Sequence, residues 1–268
     1  MAGRPVVVDL FSDLEMDAID YREQFKNNAE MYDRIVQSRH IKLIQTLEKD
    51  VLESLFADIG TDHMSVMDFA CGSGRWTQML ETHFSSVTGV DVSASMVELA
   101  HQKCQKAKFV ITDLTGPDIA PELRGREFDV ITAFRFYKNA QQELRQAATE
   151  ALPQYIKPGG LFIFDLHLNT YSVMGLLAHV VRLFGGQRWL GIGALTIRTI
   201  SLGEIRRLFK NSVFEIVDYF GMGLLPGRSN LILLPARMLY RIESFFSRHK
   251  ILRGVSYNIL VIARRKVS

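Results

Sequence analysis

Cysteine is scarce. Two residues, Cys71 and Cys104, in a chain of 268 cannot build a disulfide framework, and they follow no metal-ligand spacing. That usage suits a reducing compartment. No stretch of 18 or more apolar residues occurs, so no membrane-spanning helix is expected. The longest charge-free run, residues 166–181, still contains His167, Asn169, Thr170, Ser172 and His179. The first residues lack the layout of a secretory signal, and the expectation is a cytoplasmic protein. Internal repeats and low-complexity linkers are missing. Acids are few in the last third: from residue 182 onward there are 15 Lys/Arg against 4 Asp/Glu, a balance of +11. The first 181 residues carry 17 against 25, a balance of −8, and the net charge of +3 hides this asymmetry. A basic end on an acidic body points either to an anionic partner or to a solvated basic surface.

Against these absences stands an apolar fraction of 47%, ample for a sizeable core in one α/β domain with additions. The chain is organised around Val66-Met67-Asp68-Phe69-Ala70-Cys71-Gly72-Ser73-Gly74-Arg75-Trp76-Thr77. An apolar strand carries an acid near its carboxyl end and runs into a turn of small residues. A helix follows, from Arg75 to about His83. Strand, tight turn and helix make the first unit of a nucleotide-binding α/β sheet, where ligands lie beyond the carboxyl ends of strands. Gly72 and Gly74 let backbone pass close to a ligand with no side chain in the way. The dinucleotide fingerprint asks for Gly-x-Gly-x-x-Gly or Ala, and counting from Gly72 its third place falls on Thr77 and fails. A tight connection without a ligand is the plain structural alternative.

Two further strands follow. Residues 86–91 end on Asp91, 17 residues after Gly74, where a carboxylate can accept hydrogen bonds from both hydroxyls of a ribose. Ser93 caps the next helix, which turns Met96, Val97 and Ala100 inward. Residues 108–113 end on Asp113, followed by Leu114. A fourth strand spans residues 128–134 and leads into Arg135-Phe136-Tyr137-Lys138-Asn139. A helix over 141–155 and the turn Lys157-Pro158-Gly159-Gly160 precede the apolar run 161–164.

This set resembles the class I S-adenosyl-L-methionine (SAM) methyltransferases. Their first motif is acid-x-Gly-x-Gly-x-Gly, and here it reads Asp68-x-Ala70-x-Gly72-x-Gly74, with alanine in place of the first glycine. The openings Phe128-Asp129-Val130-Ile131 and Lys157-Pro158-Gly159-Gly160 are similar to further landmarks of the family. The resemblance covers residues 20–170 and continues more weakly through strands at 214–220 and 257–263. It implies a Rossmann-like seven-stranded α/β fold, mostly parallel with the last strand antiparallel, helices on both faces, plus helical insertions. Asp68, Asp91 and Asp113 would then gather at one rim around a single SAM-sized groove. Ala70, Cys71, Gly72 and Gly74 would line the methionine end, Val92 and Met96 would pack near the adenosine, and Asp113 and Leu114 would meet the adenine edge. Phe134 would belong to the same groove. Helices over 17–59 would close over it, with Tyr32 and Arg39 reaching the cofactor, Arg39 towards its carboxylate. The loop after the fourth strand would face the methyl group, which makes Arg135 and Tyr137 candidates there. His167, just past the fifth strand, is the best placed of the histidines as base or substrate contact. Arg135-Phe136-Tyr137 is not the Asn/Asp-Pro-Pro-Tyr signature of enzymes acting on nucleic-acid bases. No metal-ligand cluster is visible, so a metal-dependent catechol type is not expected.

Two insertions depart from the plain fold. Residues 169–200 are apolar and short of acids, as in a substrate lid. Residues 221–255 separate the last two strands and hold a basic amphipathic helix at 231–248. Leu231, Leu234, Met238, Ile242 and Phe245 share one face, and Arg237, Arg241 and Arg248 another. Such a helix can make peripheral contact with an anionic membrane, or pack its apolar face on the lid. The function expected is methyl transfer from SAM, yielding S-adenosyl-L-homocysteine (SAH), to an oxygen or nitrogen of a small or lipid-linked molecule such as a sugar or glycolipid hydroxyl or an amine. An NAD-dependent oxidoreductase and a non-catalytic SAM-fold subunit binding a membrane or partner are the alternatives.

Overall fold

The computed structural model describes residues 39–183, 199–224, 235–247 and 250–267. Helix α1 (Arg39–Ile59) leads through a 3-10 turn into β1 (Ser65–Phe69), α2 (Arg75–Leu80), β2 (Ser86–Asp91), α3 (Ala94–Lys103) and β3 (Lys108–Ile111). Then come β4 (Phe128–Ala133), the single turn α4 (Phe136–Asn139), α5 (Gln142–Ala151) and β5 (Ile156–His167). Helices α6 (Val173–Leu183) and α7 (Leu202–Phe209), strand β6 (Phe214–Met222), α8 (Ala236–Ser247), a 3-10 segment (Lys250–Val255) and β7 (Asn258–Arg265) complete the order.

The seven strands form one sheet in the order β3-β2-β1-β4-β5-β7-β6. β1 to β5 are parallel, and β7 runs antiparallel to both β5 and β6. Strand β1 is buried on both sides, which is why it reads as an unbroken apolar run with one acid. Alternate residues serve opposite faces. Val66, Val130, Ile163 and Leu260 pack beneath α1 and α2, with Leu52, Phe56 and Leu80. Met67, Ile131, Phe162 and Val261 face α5 and α7, with Leu144, Ala148, Ile205 and Phe209. Helices therefore cover both faces, as the sequence predicts. The chain moves outward from β1 to β3, then returns to the far side of β1 as β4. The crevice between β1 and β4 is the topological switch point, where open α/β sheets bind ligands.

Both insertions leave the sheet at this carboxyl rim: α6 follows β5, and α8 follows β6, which runs parallel to β5 because both oppose β7. Asn169, just before α6, donates from Nδ2 to the carbonyls of Gly254 (2.7 Å) and Ser256 (3.0 Å), in the segment that joins α8 to β7. The sequence leaves the apolar face of α8 either to the lid or to a membrane. Leu231, Leu234 and Arg248 lie outside the described residues. Met238 and Phe245 of that face are 49% and 59% exposed. Polar anchors hold the inner side of the helix: Glu243 is buried and accepts from the Leu224 N–H at 2.7 Å, and Tyr240 donates to Asp50 on α1.

Candidate functional site

A cavity of about 970 Å³, open to solvent at its mouth, lies at the switch point. Its wall is built from the loop after β1, the end of β2 with Val92, Ser93 and Met96, residues 112–115, and Phe134 to Phe136.

The loop after β1 turns through three left-handed residues, Ala70 (φ 55°), Gly72 (φ 53°) and Gly74 (φ 75°). Ala70 stands in a left-handed conformation that glycine would take without strain. The two glycines serve different ends. A Cβ on Gly74 would stand 2.7 Å from the Ala100 Cβ and 2.9 Å from its Cα, so glycine is needed there to pack the start of α2 on α3. Gly74 is not among the residues that line the cavity. A Cβ on Gly72 would meet no protein atom within 4 Å, and Gly72 does line the cavity.

The three acids all line the cavity, and protein groups hold each of them. Asp91 staples two loops: Oδ2 accepts from the Gly72 N–H (2.8 Å) and Oδ1 from the Ser93 N–H (2.9 Å). Burial pushes its carboxyl up, and these N–H bonds oppose the shift. Asp113 stands in the wall with Oδ1 bound by the Thr115 N–H (2.9 Å) and hydroxyl (2.6 Å). Asp68 is buried, and its carboxylate bridges the hydroxyls of Thr77 (2.6 Å) and Thr132 (2.8 Å), joining β1, α2 and β4. Burial raises it to about 6 against those two bonds. Thr77, the residue that breaks the dinucleotide fingerprint, is thus a core partner of Asp68.

Of the other expected residues, Ala70, Cys71, Val92, Met96, Leu114 and Phe134 line the cavity. Tyr32 and the side chain of Arg39 lie outside the described residues. Arg135 reaches the wall from a left-handed position (φ 63°) at the start of α4. Its guanidinium is gripped by Glu48 of α1, at 2.8 Å through both nitrogens, and by Asp165 of β5. Both acids are fully buried, and Asn258 donates to Glu48. Burial raises the Glu48 carboxyl while Arg135 pulls it down. Arg135 is therefore a clamp between α1 and the rim as well as a lining residue of the cavity. Tyr137 differs: it is fully buried among Phe136, Phe162 and Phe164, its hydroxyl 3.1 Å from that of Thr149, and it does not line the cavity. Burial pushes its phenol above the ordinary range. His167 sits outside the wall, with Nε2 3.2 Å from the Tyr257 hydroxyl.

The sequence reading missed Arg75, Trp76 and Thr115. Arg75 is a cation in the wall, 5.3 Å over the Trp76 ring, and Trp76 stacks on Phe134 at 4.6 Å. Thr115 had a signal, the Asp-x-Thr spacing of a side-chain turn. Half-buried Lys138 was missed as well; burial and then the Arg135 charge lower its amine to about 8.

SAM needs a carboxylate for its ribose, apolar surface for its base, and positive charge or N–H groups for its own carboxylate. Asp91, then Met96 with Leu114, then Arg75 beside the small-residue loop supply them in one cavity, so the residues fit the cofactor.

The comparisons with known proteins agree. Residues 66–160 match the family described as a methyltransferase domain. The chain is 32% identical over 114 residues to an uncharacterised methyltransferase of Schizosaccharomyces pombe, covering 38% of this chain and 39% of that protein. It is 28% identical over 104 residues to the dTDP-4-amino-2,3,4,6-tetradeoxy-D-glucose N,N-dimethyltransferase of Saccharopolyspora spinosa, with the same two shares. The chain thus spans about two fifths of the length of these relatives. Its fold superposes on magnesium protoporphyrin IX methyltransferase from Synechocystis with bound SAH, at a TM-score of 0.61 and 18% identity over 91% of this chain and 97% of that one. The seven-stranded sheet with its reversed last strand, the glycine turn over Asp91, and the match over 66–160 lead to one conclusion: residues 66–160 match a methyltransferase domain, set in a fold of the kind the SAM-dependent methyltransferases have.

Proposed function

We propose that this protein moves the methyl group of SAM to an oxygen or nitrogen of a small or lipid-linked molecule and releases SAH. The observation that carries the reading is the Asp91 carboxylate, held by the Gly72 and Ser93 N–H groups in the wall of the cavity at the switch point. Asp91 would take the ribose hydroxyls, Leu114 and Met96 the faces of the base, and Arg75 the methionine carboxylate. When bound, the cofactor supplies an electrophilic methyl on a sulfonium centre. The protein's part is alignment and the exclusion of water from the nucleophile. Trp76, Phe134 and Phe136 form an apolar wall suited to that exclusion. Helices α6 and α8 stand at the same rim and, with the apolar character of 169–200 and the basic character of 231–248 in the sequence, favour a lipid-linked acceptor and peripheral contact to an anionic membrane through 231–248. The amino-sugar relative supports a small-molecule nitrogen as a second type of acceptor.

Calorimetric titration with SAH and with NAD tests the cofactor. SAH is expected to bind at one site and NAD not at all; the reverse would make the protein an oxidoreductase. Transfer of labelled methyl across a panel of sugar, glycolipid and amine acceptors tests turnover. SAH binding with no turnover on any of them would favour a non-catalytic subunit.

A further inference from the structure

Helix α6 turns its apolar face outward. Val173, Leu176, Leu177 and Val180 are 53%, 53%, 51% and 47% exposed. Their spacing of three, four and seven residues places them on one side of a helix. In a helix packed on a core these are the positions that disappear from solvent. Helix α8 does something similar with charge added. Arg237 and Arg241 are exposed, and Met238 and Phe245 share their outward arc, opposite the anchors Tyr240 and Glu243. Neither helix presents an exposed acid: α6 contains none, and Glu243, the one acid of α8, is buried.

Asn169, just before α6, donates to the carbonyls of Gly254 and Ser256, in the segment that joins α8 to β7. The two helices leave the same rim of the sheet at which the cavity opens. We propose that the outward faces of α6 and α8 form one surface that seats on an anionic lipid bilayer, bringing the cavity mouth to an acceptor held in that bilayer. This rests on the lipid-linked reading of the acceptor given above.

The charge pattern decides the occupant. Apolar side chains interleaved with arginine, on helices with no outward acid, match the chemistry of an anionic interface. A second copy of the chain would bring a like-charged surface against this one, because a two-fold interface meets itself. The basic third of the sequence, at +11, makes that pairing repulsive.

The test is flotation of the full chain with phosphatidylcholine vesicles, with and without phosphatidylglycerol, alongside SAH titration of the same samples. Binding is expected only to the anionic vesicles, with release at about 0.5 M salt. Leu176→Ser with Leu177→Ser, and separately Arg237→Glu with Arg241→Glu, should each weaken vesicle binding by about tenfold or more. Both double variants should melt like the wild type and keep its SAH affinity, since none of the four residues lines the cavity. Failure of the wild type to float with anionic vesicles overturns the proposal. So does binding that neither pair of substitutions weakens. A concentration-dependent dimer that Leu176→Ser with Leu177→Ser converts to monomer also overturns it, because a second copy would then cover the face. Vesicle binding without SAH binding would sink the methyltransferase reading and leave the surface standing.

Discussion

Asp91 is the side chain on which the cofactor wall depends most directly, because it orders the loop after β1 and faces the cavity at once. Asp91→Ala should weaken SAH binding by about 2 kcal/mol, the loss of a charged acceptor shared by two hydroxyls. An affinity within twofold of wild type by calorimetry would remove Asp91 from the site. The glycines make a sharper contrast. Valine at Gly72 meets left-handed strain but no protein atom, so Gly72→Val should fold and lose SAH binding. Gly74→Val drives a side chain into the backbone of α3, so its main effect should be on stability, by about 2 kcal/mol or more. Urea midpoints and SAH titrations of both variants separate the roles. A Gly72→Val protein that folds and binds normally would show that the turn does not touch the ligand. Both glycines are visible in the sequence. Which of them faces ligand and which faces protein is not, because that depends on Ala100, brought opposite by the packing of α3.

Between elements, the group holding α1 to the rim is Glu48–Arg135–Asp165 with Asn258. Its members come from α1, the turn after β4, β5 and β7, and no local pattern in the sequence joins them. Removing one partner of a buried ion pair leaves an uncompensated charge, and Glu48→Ala should destabilise the fold by about 3 kcal/mol. Denaturant unfolding measures this; a loss below 1 kcal/mol, about that of an exposed pair, would show that Arg135 relaxes into water. The strands were legible because burial on both faces demands unbroken apolar runs, and β1, β2 and β4 fall where the residues predict. The helix over 93–104 was legible from its cap, and Ser93 accepts from the Met96 N–H at 3.3 Å. The rotation of α8 was not legible. Its sequence offers an apolar face, but Glu243 and Tyr240 take the inward side because Leu224 and Asp50 offer them partners.

For the molecule as a whole, Asp68 ties folding to pH. Its folded-state pKa is raised to about 6, above the ordinary carboxylate value that it has in the unfolded chain. The sign follows from linkage. At low pH the acid is neutral in both states and its burial carries no electrostatic penalty. As pH rises from about 4 towards 6 the unfolded chain ionises first, and stability falls by on the order of 3 kcal/mol before levelling off. Asp68→Asn lacks this loss, so the stability difference between wild type and variant should shift against the wild type over that interval. Urea midpoints of both proteins across the interval check it, and a constant difference would show that Asp68 titrates as an ordinary acid. The sequence shows an acid at this strand end and implies a ligand contact. Burial against Thr77 and Thr132 makes it a structural bridge as well, still within the cavity wall.

The sequence by itself determined the sheet, the glycine turn, the acids at three strand ends and the acidic-to-basic change along the chain. Each is written in neighbouring residues: apolar runs for strands buried on both faces, small residues where the backbone turns left-handed, charge as a simple count. Tertiary structure decided the use of these pieces. It placed Asp68, Asp91 and Asp113 together in the cavity wall while tying Asp68 to two threonines, closed Arg135 between two acids, buried Tyr137 and faced α6 outward. Those outcomes rest on contacts between residues tens to hundreds of positions apart, as with Glu48 and Asn258. The free energy of a buried polar group depends on the partner that packing brings to it, and no local stretch of sequence specifies that partner.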